Sequence, residues 1–259
     1  MKRNNSDLLK KLQSSVKEAF DNAIKQESLQ TFEKSEFDVV TSLDYSMEKA
    51  LMKIIREMEP DAVFLSEEFN PETSIEGRIW IIDPIDGTCN FSNGIDIYGV
   101  QCALYDNGEP QLSVIYLPGK NECFTALRNE GAWLNGAKIS RNPRPVEKSI
   151  ISFGDFNHTD PALMELEHEV MRHVAPKVER IRMVGAASVD FAYSALGRFD
   201  GNITFTKNPW DIMPGILLCQ ESGMIITDVY GDRYTGKNST VAVFSSEELM
   251  RACVLDRNK

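Results

Sequence analysis

The sequence predicts a layered α/β or α+β sandwich, on three observations. Apolar residues recur at helical spacing in several stretches. Short apolar runs of strand length lie between them, some alternating and some continuous. No internal repeat or low-complexity tract breaks the alternation, so helices and strands must stack in layers to bury their apolar faces.

The elements follow in order. Leu9, Leu12, Val16, Ala19, Phe20 and Ala23 form one face of an amphipathic helix ending near Lys25. Residues 28–40 are polar and mixed, and read as a loop with room to move. Met47, Leu51, Ile54, Ile55 and Met58 mark a second helix, which Pro60 stops. Residues 62–65 read as a strand. The central run, Ile79-Trp80-Ile81-Ile82, is a buried strand that meets Asp83-Pro84-Ile85-Asp86-Gly87-Thr88. Pro84 lacks an N–H and fixes its own φ, so the strand is expected to stop there. Gly87 then permits a tight turn. Residues 98–105 and 111–117 alternate on either side of Asp106-Asn107-Gly108, which predicts a hairpin. Residues 122–127 and a turn at 131–136 continue the β pattern. Residues 141–148, with Pro143 and Pro145, are the expected boundary between two halves, 1–142 and 143–259. In the second half strands are expected at 149–153, 181–184, 202–205, 224–229 and 240–244. Helices are expected at 161–174, at 187–196 with Gly197 as cap, at 211–222 ended by Gly223, and after Ser246.

The totals narrow the function. A chain of 259 residues makes one large domain or two joined halves. A net charge of −11 argues against wrapping nucleic acid by charge. It also repels phosphate, so a phosphate site would need local cations, metal or helix N-termini. The five cysteines, Cys89, Cys102, Cys123, Cys219 and Cys253, are odd in number and form no C-x-x-C pair. Reduced thiols in a cytoplasmic protein are expected. Cys89 reads as a space-filling neighbour of the acidic turn. No apolar stretch is long enough to span a bilayer, and residues 1–11 lack a secretory core.

Acids stand at several element ends: Asp44, Glu67, the pair Asp83 and Asp86, and Asp211. Each has a plain reading. Asp44 and Asp211 suit helix N-caps, Glu67 and Glu68 suit a solvated loop, and Asp83 and Asp86 suit a polar turn. Gathered in one place they would repel one another unless divalent ions neutralised them, and hard oxygens suit Mg²⁺, Mn²⁺ or Ca²⁺.

Asp83-Pro84-Ile85-Asp86-Gly87-Thr88-Cys89-Asn90-Phe91 resembles the signature of the inositol monophosphatase family, lithium-sensitive and magnesium-dependent phosphatases. Asp38-Val39-Val40-Thr41-Ser42-Leu43-Asp44 is similar to its early motif, and Ser66-Glu67-Glu68 to its double-Glu motif. Trp210-Asp211-Ile212, with Gly215, Glu221, Ser222 and Gly223, is similar to its late helix. Four ordered motifs spanning roughly residues 5–250 make the resemblance specific.

The resemblance implies an αβαβα sandwich and a hydrolase acting on a sugar or inositol monophosphate. It implies two or three Mg²⁺ ions. Glu67, Asp83 and the Ile85 carbonyl would hold the first, Asp83, Asp86 and Asp211 the second, and Glu67 a weaker third. Thr88, bonded to Asp44 and assisted by Glu67, would orient or deprotonate the attacking water. Asp86, Gly87, Thr88, Gly185, Ala187 and Asp211 would contact substrate, with Gly87 and Thr88 offering N–H groups to phosphate. The expected partners are a small-molecule phosphate monoester and a second copy in a homodimer, with no nucleic acid and no membrane.

The wall before Trp210 departs from the family pattern. Thr204 stands where inositol-specific members carry a Glu, and Lys207 is nearby. Activity on fructose 1,6-bisphosphate, NADP or a nucleotide is therefore an alternative, and Lys207 as an exposed loop cation is the plain reading. A scaffold without turnover is the alternative of another class. Met213-Pro214 also departs, with Pro214 expected in the first turn of its helix. His158, His168 and His173 read as solvated, Glu48-Lys49 and Glu247-Glu248 as exposed helix charges, and Trp80 and Trp133 as packing.

Overall fold

The structure is a computed structural model that describes residues 4–26, 29–36, 38–236 and 238–257. Residues 28 and 37 of the expected loop, and 1–3 of the expected N-terminal segment, lie outside the described residues. Helix α1 (Asn5–Gln26) follows the predicted stripe, with Leu9, Leu12, Val16 and Phe20 buried. The loop expected at 28–40 is instead largely an antiparallel hairpin of β1 (Thr31–Ser35) and β2 (Asp38–Thr41). Its first strand is exposed along its whole length, so no burial pattern marked it. Helix α2 (Ser42–Met58) begins earlier than Asp44. Thr41 is its N-cap, and Asp44 closes a capping box, with the Thr41 N–H donating to its Oδ2 at 2.9 Å.

The larger sheet has seven strands in sequence order. They are β3 (Val63–Ser66), β4 (Arg78–Asp86) and, after the short helix α3 (Thr88–Ser92), β5 (Gly99–Asp106), β6 (Glu109–Leu117), β7 (Glu122–Leu127), β8 (Gly131–Leu134) and β9 (Ala137–Lys138). β3 runs parallel to β4, and the remaining neighbours are antiparallel. Strand β4 does not stop at Pro84. It pairs Asp83 with Gln101, shifts register, and pairs again at Asp86 with Gly99. The irregularity absorbs the missing N–H of Pro84 and keeps both acids on the strand. Asn107 and Gly108, at φ 51° and 79°, make the predicted hairpin turn. The turn expected at 131–136 narrows to Asn135-Gly136, because β8 occupies its first part.

The smaller sheet comes from β10 (Ile150–Phe153), α4 (Pro161–Val174), β11 (Arg180–Met183), α5 (Ala187–Leu196), β12 (Gly201–Thr204), α6 (Pro209–Glu221), β13 (Ile225–Thr227), β14 (Val241–Phe244) and α7 (Glu247–Cys253). Its strand order is β11-β10-β12-β14-β13. Strands β11 and β12 run parallel to β10, and β14 is antiparallel to β12 and β13.

Three apolar clusters give five layers. Leu12, Leu51, Trp80 and Leu104 join α1 and α2 to one face of the larger sheet. Ile115, Phe124, Phe191, Leu218 and Val243 sandwich α5 and α6 between the sheets. Phe153, Val170, Phe244 and Leu249 place α4 and α7 on the outer face of the smaller sheet. Val243 and Phe244 are sequence neighbours facing opposite layers, as strand geometry requires. The expected αβαβα sandwich is therefore the observed fold. Among the described residues no helix is long and apolar enough to cross a membrane.

Two details of α6 differ from expectation. Asn208 is its N-cap, and Asp211 sits inside the first turn. Pro214 lies within the helix rather than in that turn, so it cannot donate to the Trp210 carbonyl. The neighbouring carbonyls are anchored to the sheet, where Tyr105 OH donates to Met213 O at 2.9 Å and Ser113 Oγ to Pro214 O at 2.6 Å. Gly215 is the contact point between α6 and α5. A Cβ there would lie 2.2 Å from Phe191 Cγ. Gly215→Ala is expected to destabilise the protein by about 1–3 kcal/mol, the usual range for overpacking. A urea midpoint equal to that of the parent would contradict this close approach.

Candidate metal centre and active site

Four elements bring five acids to one end of the larger sheet. Strand β4 supplies Asp83 and Asp86, the segment after β3 supplies Glu67, and the first turns of α2 and α6 supply Asp44 and Asp211. Asp83 is buried at 1% exposure. Gln101 Nε2 donates to its Oδ2 at 3.2 Å, and its Oδ1 has no hydrogen-bond partner among the described residues. Burial pushes the Asp83 carboxyl well above its usual range, and the negative charges of Glu67, Asp86 and Asp211 push it further. Burial also raises Glu67 to about 8, with Lys34 opposing and Asp211 and Glu68 adding to the rise. Asp86 rises to about 6 through burial, against three hydrogen bonds that favour its charged form.

Those three bonds come from α5. Ala187 N–H donates to Asp86 Oδ1 at 3.2 Å, and Ser188 N–H to Oδ2 at 2.6 Å, joined by the Ser188 hydroxyl. Gly87 makes the approach possible. Its φ is 85°, and a Cβ on it would meet Ala186 Cβ at 3.0 Å and Gly185 O at 3.1 Å. Thr88 Oγ1 stands 3.0 Å from Asp44 Oδ1 and 2.8 Å from the Ile85 carbonyl, so one hydroxyl proton serves two acceptors. Asp44 is itself pushed up by burial, against its bonds from Thr41 and Thr88. Asp211 Oδ2 accepts from Thr206 Oγ1 at 3.0 Å.

The β1–β2 hairpin brings a cation to this cluster. Lys34 Nζ lies 3.0 Å from Glu67 Oε1 and also bonds Glu68. Burial disfavours its charge, but the two glutamates override that and raise its pKa. Glu48 is not an exposed helix charge. It is fully buried, and its two oxygens accept the N–H groups of Glu68 and Phe69 at 2.9 and 3.0 Å. It thereby fixes the backbone that aims Glu67.

A cleft of roughly 410 Å³ opens beside the acids, where the segment after β10, the start of α5 and the segment leading into α6 meet. Asp86, Gly185, Ala187 and Asp211 line it, whereas Asp44, Glu67, Asp83, Ile85, Gly87 and Thr88 do not. Of the latter, Ile85 and Gly87 are chain neighbours of Asp86, and Glu67 and Asp83 lie close enough to Asp211 for its charge to act on both. His158 also lines the cleft, and His168 stacks on Phe156 at 4.6 Å, so two histidines read as merely solvated flank the site. Cys89 is exposed rather than space-filling. Lys207 is an exposed cation paired with Asp160 at 2.9 Å. Lys34, Asp155 and Asp190 were not among the expected site residues, and Ser188 was expected only as part of the pocket segment 185–188. Only Asp190 carried a signal, as the lone acid of an otherwise small and apolar helix.

The donors fit a hard divalent ion. Among the described residues no three His, Cys, Asp or Glu side chains stand together as a finished cage. Yet the charged side chains that act on Asp83 are all carboxylates. They repel one another, a buried oxygen of Asp83 lacks a donor, and the chain already places an ammonium at Glu67. A divalent cation relieves each of these conditions.

The model of the inositol monophosphatase family matches residues 3–257. The Nus factor SuhB of Pasteurella multocida is 34% identical over 209 residues, 80% of this chain and 78% of that one. The fructose-1,6-bisphosphatase/inositol-1-monophosphatase of Thermotoga maritima is 34% identical over 196 residues, 75% and 73% of the two chains. A solved IMPase/NADP phosphatase, complexed with NADP and Ca²⁺, superposes with a TM-score of 0.81 at 25% identity over 97% of both chains.

Proposed function

Because this chain belongs to the inositol monophosphatase family, we propose that it is a Mg²⁺-dependent phosphomonoesterase acting on a small phosphorylated alcohol. The observation that supports this most is Asp83, buried among Glu67, Asp86 and Asp211 with an oxygen that has no hydrogen-bond partner among the described residues. Glu67, Asp83, the Ile85 carbonyl, Asp86 and Asp211 would hold two or three ions. When bound, these would withdraw charge from the ester, acidify water and stabilise the departing alkoxide.

The chain's own groups do the rest. Thr88 donates to Asp44, which leaves its oxygen able to accept from the attacking water. Asp44 is fixed by the Thr41 N–H and so holds Thr88 in one orientation. N–H groups at Gly87 and Thr88 face phosphate at the start of α3. Lys34 pairs with Glu67 and offsets its charge, a role a bound ion would share. Gly185, Ala187 and Asp211 wall the alcohol. The two halves, 1–142 and 143–259, act as one catalytic unit in a cytoplasmic homodimer. The relative named as a Nus factor favours a second reading, in which the same surface also serves a regulatory partner.

Phosphate release from a panel of monoesters tests the proposal. Release is expected with Mg²⁺, none with chelator, and loss with Li⁺. Hydrolysis persisting in chelator would remove the metal from the mechanism, and none on any ester would leave the regulatory reading.

A further inference from the structure

Resting on the phosphatase reading above, we propose that the alcohol part of the substrate bears a cationic amine, recognised by Asp155. The cleft wall beyond Asp86 and Asp211 is acidic. Asp155 is exposed there and makes no hydrogen bond or ion pair among the described residues. It stands against the Gly185 wall, where a Cβ on that glycine would lie 3.3 Å from Asp155 Oδ2. Behind it Asp190 lines the same cleft with 0% exposure, and neither of its oxygens has a full hydrogen-bond partner among the described residues; the Ser152 hydroxyl beside it only partly offsets the burial that pushes this carboxyl up. A buried carboxyl so poorly satisfied is costly unless a ligand or a proton satisfies it.

No Lys or Arg lines this cleft among the described residues. His158 on the rim is the one basic side chain among those residues, and Lys207 is turned to Asp160. Thr204 is bonded to Asn202 at 3.1 Å. The phosphate end of the substrate meets N–H donors and the metal-binding acids, whereas the alcohol end meets Asp155 with Asp190 behind it. A second phosphate there is repelled, a neutral hydroxyl gains only a hydrogen bond, and an ammonium gains a charge-assisted one. The substrate class is therefore the phosphate monoester of an amino alcohol or amino sugar, in preference to a bisphosphate or a nucleotide.

Matched pairs test this: glucosamine 6-phosphate against glucose 6-phosphate, and phosphoethanolamine against ethylene glycol phosphate, with fructose 1,6-bisphosphate as the anionic arm. Binding is measured by calorimetry with Ca²⁺, and kcat/KM with Mg²⁺. The amine member of at least one pair is expected to bind about tenfold tighter, and the bisphosphate weakest. Asp155→Asn, an exposed change, is expected to bring that pair to parity by weakening the amine member far more than the hydroxyl member, with the Mg²⁺ dependence unchanged. Equal binding within both pairs, preference for the bisphosphate, or equal weakening of both members by Asp155→Asn overturns the proposal. A shifted Mg²⁺ dependence in that variant also overturns it, making Asp155 a metal ligand. Amine preference in binding without turnover of any ester removes the phosphatase reading alone. Turnover without amine preference removes this proposal alone.

Discussion

Asp83→Asn is expected to lower turnover by at least about a thousandfold, equivalent to about 4 kcal/mol of transition-state stabilisation. The same change is expected to raise the thermal midpoint of the metal-free protein near neutral pH. Both follow from one position. Asp83 is the acid that Glu67, Asp86 and Asp211 all press upon, and under the proposed function it would hold both principal ions. Its folded pKa lies above its unfolded one. The folded state therefore binds the proton more tightly, and stability falls as pH rises from the unfolded value through the folded one. Asparagine has no charge to lose, so the metal-free variant gains most above that window and nothing below it. Its amide oxygen can still accept from Gln101. Mg²⁺ should then raise the parent's midpoint but not the variant's. Because Glu67 titrates near 8 and Asp86 near 6, ion uptake by the parent should release protons in that interval. Scanning calorimetry across pH, with and without Mg²⁺, reads all of this. Undiminished Mg²⁺-dependent turnover by the variant would be fatal to the assignment.

Thr88→Val is expected to reduce kcat by about a hundred- to a thousandfold with KM nearly unchanged, the range for losing a proton-transfer partner. Valine keeps the shape and removes only the hydroxyl that stands 3.0 Å from Asp44. Asp44→Asn should cost a similar factor, and the double variant little more than either single one, because the two groups act as one device. The cycle is measured in steady state on the best ester of the panel. Multiplicative losses would mean that Thr88 and Asp44 serve separate functions.

Much of this site was readable along the chain because its motifs are local. Asp83 to Thr88 are contiguous, and the turn that bends them needs only a proline, a glycine and a strand ending in acids. The helices at 5–26 and 161–174 were readable because one buried face repeats at helical spacing, and 187–196 because Gly197 caps a run rich in small residues. The β1–β2 hairpin was not, since exposed polar strands carry no periodic signal. Glu48 was misread for the opposite reason. A charge on a helix reads as solvated until another segment arrives to cover it, and its partners are twenty residues away at Glu68 and Phe69.

By itself the sequence determined the layer pattern, the family, and the acids that stand at element ends, because periodicity and contiguous motifs are properties of neighbours. Tertiary structure alone decided that Lys34 faces Glu67, that Ser188 holds Asp86 across a separation of 102 residues, and that Asp155 and Asp190 share one wall. Charge and burial act through space. A carboxylate acquires its chemistry from whatever the fold sets beside it, and the order of residues along the chain does not contain those distances.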